Sequence, residues 1–296
     1  MFRAPFGHKR GVATVHHPEQ LWWPDLGLRK RDAVEYYEAI APVLLPHLRN
    51  RPLTLKRHYN GPRSPFEWIK DAPTELPDWI RVSPQPAKSR GGKPVRYVIV
   101  DSVDALLWLV DFGCIDFHVW TSRIDRPDRP DYVLFDLDPA GVPFSDVVAA
   151  ALLLREALDA LRLDSVVKAT GGAGLHVHVP IARRYTYEDA RTFARTVSGA
   201  LVRASSGLLT GERSPARRHG VFVDTKMNGH GQQVVAPYSI RPSPGAPVTA
   251  PVRWDELEGL DPRALTPDVV LERVGRDGDL LAPVLRGSQR PVVRLR

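Results

Sequence analysis

Apolar residues recur in two periods along this chain. In "RKRDAVEYYEAIAPVLLPHL", residues 29–48, Val34, Tyr37, Ile40 and Ala41 fall at helical spacing. This predicts an amphipathic helix that Pro42 and Pro46 close. Elsewhere the apolar runs are short and continuous, as strands are. "RPLTLKRH", "RYVIVDS", "IDFHVWTSR", "YVLF", "SVVKAT", "LHVHVP", "GVFVD" and "QQVVAPYSIR" read as strands. "TVHHPEQLWWPD" reads as a short strand and turn, and "VDALLWLVDFG" as a short helix ended by Gly113. A further helix is expected from Asp146 to Leu161, capped by Ser145. Another follows in "YEDARTFARTVSGALVRA", capped by Thr186 with Asp189 three residues on. Pro- and Gly-rich residues 59–95 and the stretch "IDRPDRPD" read as loop and link, and the proline-rich tail from 242 holds one or two short helices. Helices and strands mix throughout, which predicts one compact α+β body with two lobes.

Composition narrows the function. The 296 residues carry 41 Lys and Arg against 34 Asp and Glu, a net charge of +7, which suits a polyanionic partner. Cys114 is the single cysteine, so an internal disulfide is impossible and a cysteine-based zinc site is almost excluded. The start, "MFRAPFGHKRG", lacks an apolar core of the kind that directs secretion. The longest aliphatic run, "VVAAALLL", is too short to span a bilayer. The expected compartment is the cytosol.

The chemistry begins at "YVLFDLDP". Alternation puts Asp136 and Asp138 on one face of a strand, where two carboxylates repel and lose hydration. A basic side chain or a divalent cation should compensate them. Asp224 closes "VFVD", and three carboxylates on sheet ends are what a two-metal phosphoryl-transfer site requires. The bland alternatives are a capped strand end or a surface salt bridge, and metal-dependent glycosyltransferases also use Asp-X-Asp. "TGGAGLHVHVP" adds Gly171, Gly172 and Gly174, which let backbone N–H groups approach an anion. His176 then reads as a phosphate donor rather than one half of a His-X-His metal pair. Lys56 ends a strand before a basic loop with Tyr59, Phe66 and Trp68, a mixture suited to phosphates and bases. Gln233 and Arg241 flank "VVAPYSIR" and could bring an amide and a guanidinium into the same cleft.

Taken in order, "EYYEAIAPVLLPHLRNRPLTLKR", "FHVWTSR", "FDLDP", "TGGAGLHVHVP", "VFVD" and "VVAPYSIRPSPGAPVTAPVRWDEL" resemble the polymerase domain of bacterial DNA ligase D, within the archaeo-eukaryotic primase superfamily. The likeness runs from about residue 14 to about 258. It implies a primase-like core with an RRM-like, mainly antiparallel sheet and an accessory N-terminal α/β lobe. The accessory lobe is expected over about 1–95, the core over about 96–260 and a C-terminal extension over 261–296, in a stand-alone monomeric polymerase domain. It implies templated nucleotide addition at short gaps and breaks with Mn²⁺ or Mg²⁺, ribonucleotides being favoured over deoxynucleotides. Asp136, Asp138 and Asp224 would be metal ligands, with Asp224 beside the primer 3′-hydroxyl. His176, Arg241, Thr170, Gly171 and Gly172 would hold the triphosphate, Lys56 and Phe66 would contact the nucleotide, and His118 and Gln233 would line the pocket. The implied partners are DNA, a separate ligase and an end-binding protein, in non-homologous end joining near a bacterial nucleoid.

Three departures matter. Ala173 stands where the family motif has lysine, removing one phosphate contact. Pro65 and Phe66 stand where relatives often have paired aromatics. In the pocket for a downstream 5′-phosphate, "HPEQ" (His17 to Gln20) keeps Lys30 but lacks a cation at Gln20. The Ala173 and Gln20 changes also fit a repair scaffold that binds ends or gaps with weak or lost catalysis.

Overall fold

The computed structural model describes residues 15–86, 91 and 93–291. Its chemistry-bearing layer is a six-stranded sheet. In spatial order the strands are Leu209–Thr210, Gly220–Asp224, Tyr132–Ala140, Leu175–Pro180, Val166–Ala169 and Ala250–Val252. All neighbours are antiparallel except the first pair. The α+β, mainly antiparallel reading holds.

Alternation gives this sheet two different faces. Val133, Phe135 and Leu137 are fully buried among residues of helices Phe144–Ala160 and Tyr187–Ala204, with Phe135 edge-on to Phe193 at 6.4 Å. Tyr132 and Leu134 point the other way and pack with Val234, Leu281 and Val284. Asp136 and Asp138 continue that second face.

A second sheet faces it. Its order is Gln233–Val235, His118–Trp120, Leu53–His58, Pro94–Val98 and Val82–Pro86, with Phe66–Ile69 paired to Leu53–His58. Its strands come from both sides of residue 95. Behind it the helix Lys30–Leu48 buries Tyr36, Tyr37, Ile40, Leu44 and Leu48.

Several boundaries differ from the sequence reading. The helix does not stop at its prolines; it runs through Pro42 and Pro46 to Leu48. An interior proline costs roughly 3 kcal/mol. Here Leu44, Leu45 and Leu48 lie beyond Pro42 on the buried face, and each such side chain recovers about 1.5–3 kcal/mol. Residues 59–95 are not all loop, since they supply Phe66–Ile69 and Val82–Pro86. The latter is an edge strand, where Pro84 and Pro86 are tolerated. Arg126–Pro130, expected as a link, pairs with Ser122–Arg123. The strand through the aspartates passes Pro139 to Ala140, where only Gly220–Asp224 still pairs with it. Ser145 is not a cap, because the helix starts at Phe144 after Pro143. Thr186 and Asp189 do form the expected reciprocal cap.

Candidate active site

Register assembles the carboxylates. Asp136 lies directly opposite Asp224 on one neighbouring strand and opposite His176 on the other, and His176 lies opposite Lys168. Directly opposed side chains in antiparallel strands share a face. One transverse row therefore reads Asp224, Asp136, His176, Lys168, and Asp138 stands two residues along from Asp136 on the same face. Burial pushes the Asp136 carboxyl upward against the partial relief given by Lys168. Burial does the same to Asp138, reinforced by repulsion from Asp136 and Asp224. The site is thus short of positive charge where the carboxylates gather.

Among the described residues, no three His, Cys, Asp or Glu side chains converge into a ready-made metal cluster. The donor set nonetheless fits a hard divalent cation. It is rich in oxygen, crowded with like charge, and open to a cleft where substrate oxygens could complete a shell. Gly174 keeps that opening: a Cβ there would sit 2.8 Å from the Leu137 carbonyl and 3.2 Å from Asp138 Oδ1.

The cleft holds about 350 Å³ between the two sheets. His118, Asp136, Asp138, Thr170, Gly171, Gly172, His176, Gln233 and Arg241 all line it. Nine of the residues singled out from sequence thus meet around one space. Lys56 and Phe66 sit beside it, with the Lys56 ammonium 4.3 Å from the Phe66 ring centre. Asp224 borders the row, and its Oδ1 accepts from the Lys226 amide at 2.7 Å. Burial, with Lys168 and Arg241 nearby, holds the His176 imidazole well below its usual range. Its Nε2 lies 3.3 Å from Asp136 Oδ1, while the buried Nδ1 has no protein partner.

The expected 5′-phosphate residues also cluster. The Lys30 amide donates to the Gln20 carbonyl at 2.9 Å, and the Gln20 amide donates to the His17 carbonyl at 3.0 Å. Yet the Lys30 ammonium is buried and committed to Asp111, at 2.6 Å from Oδ1 and 2.8 Å from the carbonyl. The Gln20 side chain accepts from Trp22 Nε1 at 3.2 Å. A phosphate on the downstream 5′ end of a gap is therefore expected to improve affinity by less than tenfold, or ~1.4 kcal/mol. Fluorescence anisotropy with phosphorylated and unphosphorylated gapped duplexes checks this. A larger gain would show that the Asp111 pairing yields readily to phosphate.

Three residues escaped the sequence reading in whole or in part, Trp68 having been placed there only in a loop. Lys168 is fully buried and donates to the Val235 carbonyl at 2.9 Å, tying the two sheets together at one end of the row. Burial, then repulsion from Arg241, lowers its ammonium to about 7. Alternation already placed it on the face of Thr170, and that was its available signal. Trp68 shares a strand face with Phe66, the two rings meeting edge to face at 5.8 Å, and meets His118 at 4.8 Å. Recognising Phe66–Ile69 as a strand would have paired these aromatics. Asp116 is the third, and its signal was the i, i+2 relation to His118.

The opposed sheets bring a row of oxygen donors, a glycine-rich turn and an arginine to one cleft. The model of the LigD primase-polymerase domain matches residues 29–281, and the chain belongs to that family. It is 32% identical over 289 residues to the multifunctional non-homologous end joining protein LigD of Mycolicibacterium smegmatis, covering 96% of this chain and 38% of that protein. It is 30% identical to the bifunctional non-homologous end joining protein LigD of Bacillus subtilis, covering 84% of this chain and 40% of that protein. The chain thus spans well under half the length of these relatives. The polymerase domain of Mycobacterium tuberculosis ligase D, solved in complex with DNA, superimposes with a TM-score of 0.87 at 30% identity. That match covers 95% of this chain and 100% of that one. Among the described residues, no helix is long and apolar enough to cross a membrane.

Proposed function

We propose that this protein is a template-directed nucleotidyltransferase that adds nucleotides to primer 3′ ends at short gaps and breaks in DNA. The observation that carries the reading is the single sheet face shared by Asp136, Asp138 and Asp224, of which the first two line the cleft that also holds Thr170, His176 and Arg241. The three aspartates would hold Mn²⁺ or Mg²⁺, which neutralises charge on the transferring phosphoryl group. Asp224, at the edge of the row, would stand next to the primer hydroxyl and help take its proton. Arg241 and Thr170 would grip the triphosphate over the backbone of Gly171 and Gly172. Lys56 and Phe66 would meet the nucleotide, with Trp68 extending the aromatic surface, while His118 and Gln233 close the pocket.

The names of the relatives support a place in non-homologous end joining; we propose a DNA ligase and an end-binding protein as its partners in a bacterial cell. The net charge of +7 suits DNA, and affinity should fall steeply with salt as phosphate contacts release counterions. The test is primer extension on a gapped duplex with Mn²⁺ or Mg²⁺, offering ribo- and deoxynucleotides in parallel. The reading expects addition that chelation stops, with ribonucleotides used more readily. Addition that survives chelation would overturn the metal assignment.

A further inference from the structure

We infer that Asp116 is a positioning residue that gathers Lys56, His118 and Arg241 onto one point before a nucleotide arrives. The inference rests on the nucleotidyltransferase reading and deepens it. Asp116 does not line the cleft; it is 1% exposed and lies beneath it. A single oxygen, Oδ2, accepts from Lys56 Nζ at 3.3 Å, His118 Nε2 at 3.2 Å and Arg241 Nη1 at 3.3 Å. These donors come from three separate parts of the chain. The other oxygen, Oδ1, is buried without a protein partner.

The neighbouring backbone is fixed as well. The Tyr37 hydroxyl donates to the Ile115 carbonyl and accepts from the Ile240 amide at 2.8 Å. Those residues immediately precede Asp116 and Arg241, so one buried tyrosine sets the spacing between carboxylate and guanidinium. Burial alone would push the Asp116 carboxyl up; the His118 bond and the charges of Arg241 and Lys56 outweigh it and hold the group below its usual range.

The arrangement suits a triphosphate site. Lysine has three N–H donors and arginine five, and each gives one to Asp116, which leaves others to turn toward phosphate oxygens. Two cations around an empty point would repel each other and spread apart. A fixed carboxylate keeps them convergent, so the donors need not be gathered during the reaction. Removing its charge should leave the attraction for a triphosphate undiminished or stronger while the donors lose their common aim.

The test compares wild type, Asp116→Asn and Asp116→Glu. It uses steady-state addition of ATP opposite a templating thymine, together with calorimetric binding of ATP. Asp116→Asn is expected to lower kcat tenfold or more with KM and Kd for ATP unchanged or lower. Asp116→Glu keeps the charge and is expected to retain kcat within threefold of wild type. If Asp116→Asn does not fold, Asp116→Glu carries the test, and a tenfold loss there overturns the inference. So does a raised KM with unchanged kcat in Asp116→Asn, or no change in either constant. If wild type adds no nucleotide, it is the enzymatic reading that fails. The binding arm then decides this inference, and weaker ATP binding by Asp116→Asn overturns it.

Discussion

Asp136→Ala is expected to reduce nucleotide addition to background, a loss on the order of a thousandfold or more, while gapped-duplex binding stays within about twofold. The variant removes the centre of the row, the residue that faces both Asp224 and His176. It should not cost stability. Asp136 is held in a place that disfavours its charge, and Asp138 loses a repelling neighbour when it goes. Thermal melting without divalent cations should therefore show a Tm equal to or above wild type. Added Mn²⁺ should raise the Tm of wild type, since a ligand bound by the folded state stabilises it, and should leave the variant nearly unmoved. A variant that melts early and loses activity would point to a structural role instead.

Gly171→Ala should be the next most damaging change, although it adds one methyl group. Gly171 has a φ of +72°, where alanine is strained by roughly 1–2 kcal/mol. Its Cβ would also fall 2.6 Å from Arg241 Cγ and 3.3 Å from the Val248 carbonyl carbon. The arginine stem can yield, but yielding draws its guanidinium off Asp116 and out of the cleft. The expected result is a lower Tm and a rise in nucleotide KM of about tenfold. Gly172→Ala is the control: its φ lies outside the left-handed range, and its Cβ would meet nothing closer than Thr170 Oγ1 at 3.7 Å. Equal damage from both variants would mean that displacement of Arg241 is not the cause.

Much of the site was legible because alternation in strands is local. Asp136 and Asp138 could be placed on one face from eight residues of sequence, and the glycines beside Thr170 announced a close backbone approach. Register was not legible. Nothing in the spacing of residues 136 and 224 says that they oppose each other across a ladder. Asp116 was missed for the same reason: its meaning lies in three donors that only tertiary structure brings together. Prolines misled in both directions. Pro42 and Pro46 looked like stops, yet the buried leucines after them carried the helix on. Pro84 and Pro86 looked like loop, yet an edge strand accommodates them. Lys30 shows a further limit, since a lysine retained in sequence turns out to be bound to Asp111.

The most direct test of the central claim is templated addition itself. Wild type and Asp224→Ala would be run side by side on short-gapped duplexes carrying each of the four templating bases, with Mn²⁺ present. The account predicts that wild type adds the complementary nucleotide in each case and that Asp224→Ala adds none while still binding the duplex. Intact binding with no addition by wild type under any divalent cation would contradict it and leave a gap-binding scaffold in its place.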